Sequence, residues 1–334
     1  MRICYVQEGN SLWGGVKVVF EQAEALQERG HEVVILSKDE PPNWYDVQVP
    51  LRQVESFSPA SIPESDFVIG TFWTTIRPVV EAEKGCPVHL CQGYEGGYSA
   101  YASDSQKIAE VYRLPILTLT VHEPLSRFLW ERFRKKAHTV GQGIDHRIFY
   151  PQETSRSTPP WRILLPGPYE VDWKGVCDGL LALRTLKAEL PLWTVRVSQF
   201  PKSAEEEQLG VTDEYHYHLP AKEMSALYRS CDVMLAPSWT QEGFGLPVLE
   251  AMACGVPVAM SNIPSFRGFA PGIDWAFFFA ERDITGMQNA LRQLLQDQTL
   301  RTCLRTRGRE VARAYTFARV AERIEHVFMG EGKT

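Results

Sequence analysis

Apolar residues fall in short runs separated by longer stretches with helical spacing, the rhythm of repeated βα units on a parallel sheet. Residues 2–6 read as a first strand. Over 16–29, Val16, Val19, Phe20, Ala23 and Leu26 share one helical face, and Gly30 suits the end of that helix. Strands are expected over 33–36, 67–70, 88–91 and 114–120, then a helix over about 124–136 and a strand near 138–141. The segment 150–161, YPQETSRSTPPW, is polar and proline-rich and reads as a linker. After it the rhythm restarts, with strands over 162–166, 193–198, 233–236 and 256–260 and helices over 175–189, 223–229, 246–253 and 287–296. The expected fold class is α/β, with two doubly wound domains at 1–155 and 156–315 and ligands at the carboxyl ends of their strands. The amphipathic stretch 318–328 predicts a last helix, in a tail of 316–334 packed back on the first domain.

Composition narrows what such a fold can do. Of 334 residues, 44% are hydrophobic and 23% charged, the balance of an ordinary globular protein. A net charge of −6 offers no polycationic surface, so nucleic acid is not an expected partner. No apolar run reaches the about 18 residues of a membrane span, and the N-terminus enters a strand rather than a cleavable signal, so a cytoplasmic protein is expected. The seven cysteines are scattered and read as reduced, buried small hydrophobes. His216 and His218 alternate as on one strand face, but no third ligand at a suitable spacing accompanies them, and no metal site is expected. The segment 125–136 is basic and amphipathic, carrying Phe128, Leu129, Trp130 and Phe133. One reading buries that stripe in the domain core; the other is peripheral contact with anionic lipid at the inner face of a membrane. Nothing in the sequence fixes an oligomeric state.

Candidate chemistry concentrates in 236–258, APSWTQEGFGLPVLEAMACGVPV. Gly243 and Gly245 permit close backbone approach, while a helix starting near Leu246 aims its amides at an anion or at sugar hydroxyls. Glu242 precedes that helix and Glu250 lies inside it, so the two can serve different parts of one extended ligand. A plain glycine-rich turn with two solvent-facing glutamates is the competing reading. Gly14 and Gly15, between the first strand and helix, are either a tight turn or a cradle for a diphosphate or acceptor; the G-x-G-x-x-G of a dinucleotide site is absent. Lys174 precedes a helix, where a lone lysine is usually solvated.

The stretch 237–258 resembles, nearly residue for residue, the P-S-x-x-E-G-F-G-L-P-x-L-E-A-M-A-x-G-x-P-V pattern of retaining glycosyltransferases of family 4, the group 1 glycosyl transferases. Residues 227–233, LYRSCDV, resemble the L-Y-x-x-A-D-V that precedes it. Trp13, Gly14 and Gly15, and the GQGID of 141–145 with Phe149 and Pro151, are similar to further family segments. The resemblance implies the GT-B fold, two Rossmann-like domains facing each other across a cleft. It implies a nucleotide-diphosphate sugar held by the second domain and a hydroxyl acceptor (glycan, lipid-linked or small molecule) held by the first. Hexosyl or deoxyhexosyl transfer would proceed with retention, without an essential metal or cofactor.

Carried over, the resemblance assigns Glu250 to the ribose hydroxyls, and Glu242 with the amides of Gly243, Phe244, Gly245 and Leu246 to the donor sugar and distal phosphate. Lys174 matches the cation that neutralises the leaving diphosphate, a role that fixed charge and amide dipoles can fill. Tyr217 and His218 match a loop that borders the nucleotide base. Two family residues are missing. An Arg is expected where Gly167 is followed by Pro168, with Arg162 and Arg196 as candidate substitutes. A His is expected where Gln92, Tyr94 and Glu95 stand, and any of these takes the acceptor or sugar side; the Q-x-Y-E string resembles some bacterial rhamnosyl and polysaccharide transferases. His122 is either cleft-facing or a satisfied core histidine. The alternatives are a nucleotide-sugar 2-epimerase of the same fold and a sugar-nucleotide or glycan-binding protein without transfer activity.

Overall fold

The computed structural model describes residues 1–152 and 158–331. The chain forms two compact units, Met1–Gly143 with the segment from Thr316 onward, and Ile144–Tyr315. The division falls ahead of the linker read at 150–161, whose residues 153–157 lie outside the described residues.

The first unit runs β1 (Arg2–Gln7), α1 (Gly14–Glu28), β2 (Glu32–Ser37), β3 (Leu51–Gln53), β4 (Phe67–Gly70), α2 (Trp73–Ala82), β5 (Cys86–Cys91), α3 (Ser105–Tyr112), β6 (Leu117–Thr120), α4 (Glu123–Phe133) and β7 (His138–Thr139). These strands make one parallel sheet in the order β3-β2-β1-β4-β5-β6-β7. Strands covered on both faces need continuous apolar runs, and β1 and β4 supply them. On one face Ile3, Tyr5, Ile35 and Ile69 pack with Phe20 and Leu26 of α1; on the other, Cys4, Val6 and Val68 pack with Val79 of α2.

The second unit runs β8 (Trp161–Pro166), α5 (Val176–Lys187), β9 (Leu192–Ser198), α6 (Ala204–Gln208), β10 (Glu214–Tyr217), α7 (Ala221–Ser230), β11 (Val233–Ala236), α8 (Leu246–Ala253), β12 (Val258–Ser261), α9 (Pro264–Arg267), β13 (Phe277–Phe279), α10 (Ile284–Gln296) and α11 (Gln298–Ala312). Its sheet is parallel in the order β10-β9-β8-β11-β12-β13. The chain then returns to the first unit as α12 (Phe317–Glu331). There Phe328 stacks on Phe67 with ring centroids 3.8 Å apart, and Glu325 pairs with Arg29 at 2.5 Å and His31 at 2.7 Å.

Counted from its own first strand, each sheet begins 3-2-1-4-5-6. Strand order therefore reverses between β1 and β4 in the first unit and between β8 and β11 in the second. At such switch points the loops beyond the carboxyl ends diverge and leave a crevice for a ligand.

Several expectations are corrected. The strand read at 114–120 starts only at Leu117, because Leu114 still bonds back to Val111 as a turn. The helix read to 136 ends at Phe133, where Arg134 turns left-handed at φ +54°, so Arg134, Lys135 and Lys136 lie beyond it. α2 and α3 escape a periodicity reading because both are short and Pro78 interrupts α2. All seven cysteines are free, but Cys177 and Cys303 are exposed rather than buried. No helix of the described residues is long and apolar enough to cross a membrane.

Candidate functional site

In the second unit, two loops at the switch point are zipped together. Trp239, in the loop after β11, donates its backbone N–H to the Trp173 carbonyl in the loop after β8, at 2.7 Å. Gly175 follows with φ +64°, and a Cβ there would lie 2.1 Å from the Pro237 carbonyl oxygen, so only glycine lets the loops approach. Trp239 Nε1 adds a bond to Asp178 Oδ2 at 3.3 Å. The consequence is one charge pair: Lys174 Nζ donates to Glu242 Oε2 at 2.6 Å, and Ser238 Oγ donates to the same oxygen at 2.9 Å. Glu242 is nearly enclosed while Lys174 keeps a quarter of its side chain exposed, which leaves the ammonium open to a further anion.

Beside this pair begins α8. Gly245 stands at its N-cap with φ +92°, and a Cβ there would sit 2.4 Å from the Phe266 ring. No side chain caps α8. Its N-terminal amides and the positive end of its dipole thus lie next to Lys174 and Glu242, an arrangement suited to phosphate or sugar oxygens. Gly243, Phe244, Gly245 and Leu246 all belong to this turn.

Glu250 is buried within α8, which overturns the reading of two solvent-facing glutamates. The Tyr228 hydroxyl donates to its Oε2 at 3.0 Å, and burial together with the Glu250 charge raises the phenol well above its ordinary pKa. Tyr217 and His218 lie at the end of β10, on the far side of β9 from β8. Tyr217 is exposed and its ring stacks on His218 at 5.4 Å, while His218 turns left-handed at φ +58° and donates its N–H to the Ser198 carbonyl.

Neither candidate substitute for the missing arginine reaches this edge. Arg162 sits near the amino end of β8 and binds both oxygens of Glu214, at 2.7 and 2.9 Å; that contact lowers the Glu214 pKa to about 2. Arg196 is fully buried, paired with Glu206 at 2.8 Å, and spends its remaining donors on the carbonyls of Leu165 and Gly167. Its guanidinium props the start of the Lys174 loop from beneath. His216 bonds Glu214 at 2.6 Å, and no cluster of metal-ligating side chains occurs among the described residues.

The first unit's edge is built differently. Gly14 and Gly15 open α1, and Gln92 Nε2 donates to the Gly15 carbonyl at 3.0 Å while Gln142 Nε2 reaches Gln92 Oε1 at 3.4 Å. Gln92 thus ties the loop after β5 to the start of α1. Glu95 is buried and accepts from the Tyr112 hydroxyl and from the Trp73 backbone at the start of α2; burial pushes its carboxyl up to about 7. Tyr94 packs among Tyr112, Phe128 and Phe133 at 5.0–5.4 Å, with Arg132 over its ring. The apolar stripe of α4 therefore turns largely inward, and Trp130 is its exposed member. His122 caps α4, its Nδ1 accepting the Leu125 N–H at 3.1 Å. That bond fixes the other nitrogen as the protonated one when the ring is neutral.

Sequence reading missed Trp173 and Trp239 as the residues that join the two loops, and Tyr228 as the partner of Glu250. The two tryptophans flank the recognised motifs, but a pairing across more than sixty positions leaves no local signal, and Tyr228 sits a whole strand and loop away from Glu250.

Residues 173–311 match the sequence profile of the group 1 glycosyl transferases, and this span contains Trp173, Lys174, Trp239, Glu242 and Glu250. The phosphatidyl-myo-inositol mannosyltransferase of Mycolicibacterium smegmatis is 27% identical over 94% of this chain and 90% of its own length. Among solved structures, Anabaena HepE in complex with UDP-glucose aligns with a TM-score of 0.83 at 11% identity over 99% of this chain and all of its own. Sucrose-phosphate synthase from Thermosynechococcus elongatus gives 0.82 at 16% identity, over 100% and 99%. At these identities the structural likeness establishes the fold, which is GT-B. With the profile covering residues 173–311 and a mannosyltransferase matching along nearly the whole chain, this protein is a glycosyltransferase whose second unit is similar to the group 1 glycosyl transferases.

Proposed function

We propose that the chain transfers a hexosyl or deoxyhexosyl group from a nucleotide-diphosphate sugar to a hydroxyl acceptor, with retention and without a metal. The donor binds on the second unit and the acceptor on the first. The observation that carries this reading is the Lys174–Glu242 pair held at the uncapped start of α8. As the bond from the anomeric carbon to the phosphate oxygen breaks, its electron pair leaves on the diphosphate. A fixed ammonium and aligned amides stabilise that charge without a Lewis acid. The acceptor oxygen bonds the anomeric carbon on the face the diphosphate leaves, and its proton passes to the departing phosphate. Glu242 keeps Lys174 in place and serves the sugar hydroxyls, while Glu250, held by Tyr228, serves the ribose. The fold likeness to a protein crystallised with UDP-glucose supports a nucleotide-sugar donor, and the mannosyltransferase relative supports hexosyl transfer.

A melting-temperature screen against UDP, GDP, dTDP and ADP tests the donor half. One nucleotide should raise the melting point by mass action, and Glu250→Ala should diminish that shift. Four nucleotides without effect would overturn the reading. NMR of the product anomer then tests retention, and a protein that binds a nucleotide sugar but neither hydrolyses nor transfers it is a binding protein.

A further inference from the structure

The carboxyl edge of the first sheet carries an aromatic cluster that the donor chemistry does not use. Phe72 and Trp73 follow β4, and Tyr98 and Tyr101 follow the adjacent β5. Tyr101 is the hub: its ring lies 5.8 Å from Phe72 and 6.5 Å from Trp73, both edge-on, and 6.4 Å from Tyr98. All four side chains are only partly buried, although the Trp73 indole nitrogen itself is buried and has no partner among the described residues. Trp13 stands exposed in the loop after β1, on the other side of the switch point. Rings that serve only a core are covered; these keep part of their surface outward at the crevice where the strand order reverses.

The loops there carry carboxylates and no cation of their own, and the cations that reach them are paired: Lys107 of α3 binds Asp104 at 2.9 Å. The loop of residues 8–13 holds Glu8 and no cation, residues 71 and 72 are uncharged, and residues 92–104 hold Glu95 and Asp104 with no Lys or Arg. Lys38, after β2, is bound to Glu8 at 2.5 Å, and Glu8 also accepts from the Thr74 hydroxyl. A phosphate-bearing acceptor needs open arginine or lysine donors, and like charges at its binding site would oppose it. A neutral sugar asks for the reverse: an apolar ring face against its C–H groups, and acceptors for its hydroxyls.

We propose that this edge binds a neutral saccharide, stacked on Trp73 and Tyr101 with hydroxyls directed to Glu8, and that this saccharide is the acceptor. Its role as acceptor rests on the proposed transferase function; the binding itself does not.

The test is calorimetric titration of the full chain, with and without the nucleotide that raises its melting point. The neutral probes are mannotriose, cellotriose and N,N′-diacetylchitobiose; the anionic ones are myo-inositol 1-phosphate and glycerol 3-phosphate. At least one neutral probe should bind, Tyr101→Ala and Trp73→Ala should each weaken it at least tenfold, and Tyr101→Phe should restore it. The nucleotide-induced melting shift should persist in every variant, which shows them folded. Binding of the phosphates in preference to the sugars, binding by no neutral probe, or binding that survives both alanine changes would overturn the inference. Absence of any nucleotide shift would instead count against the transferase reading, and the saccharide titration would still be decisive without nucleotide.

Discussion

In the second unit the switch point between β8 and β11 presents Lys174, Glu242 and an uncapped helix start; the corresponding place in the first unit, between β1 and β4, presents Glu8, Trp73 and neighbouring aromatic rings. The two sheets share their strand order, so topology decides where a ligand goes in each unit and leaves open what it is. Loop residues decide that. In one unit they gather a cation and amide dipoles fit for a departing anion. In the other they gather rings and carboxylates.

The comparison breaks most readily at Lys174. Lys174→Ala should lower transfer roughly 10²–10³-fold, the loss typical of removing one preorganised electrostatic group. Stability to urea should also fall, by about 1–3 kcal/mol, because the change leaves the nearly enclosed Glu242 carboxylate without its cation. Turnover within threefold of the parent would remove the cation from the mechanism.

Next in size is Glu95 of the first unit, held near pKa 7 by burial. A carboxyl raised in the folded state binds more protons there than when unfolded. Its stabilising contribution is therefore full below about pH 4.5 and is lost as pH rises to about 7, amounting to as much as about 3 kcal/mol. His89, buried and pushed down to about 3, gives a slope of opposite sign below its ordinary value of 6.5. The difference between the parent and Glu95→Gln cancels that histidine. Parallel stability curves from pH 4.5 to 8 would show that burial of Glu95 has no such effect.

A smaller change sharpens the donor side. Glu250→Ala removes an acceptor that Tyr228 holds in place, and nucleotide affinity should fall about tenfold, the scale of one or two hydrogen bonds. Smallest is Arg162→Met, which should leave nucleotide affinity unchanged and cost at most about 1 kcal/mol. That cost should fade as pH falls from 4.5 toward 2, where Glu214 becomes protonated. A loss of nucleotide binding in this variant would return Arg162 to the site.

Legibility differed between the same two regions. The string from Glu242 to Glu250 announced a turn and a helix start, and Lys174 stood at the right place after a strand, because their chemistry is written in consecutive residues. Arg196 looked equally available in the sequence. It lies in the middle of a buried strand, where a guanidinium survives only by pairing with Glu206 and backbone carbonyls. Likewise Glu95 and His122 read as candidate ligands, but Tyr112 and Trp73 hold one and the start of α4 holds the other.

The aromatic edge was illegible for a related reason. Phe72, Trp73, Tyr98 and Tyr101 follow two different strands, and only the parallel pairing of β4 with β5 makes them neighbours. Sequence by itself determined the alternation of strands and helices, the end of the first helix at Gly30, and the family motif, since each depends on residues within one turn or strand of one another. The tertiary structure decided which charges are spent on one another, which rings remain open, and which loops meet, because those outcomes depend on burial and on contacts between segments far apart in the chain.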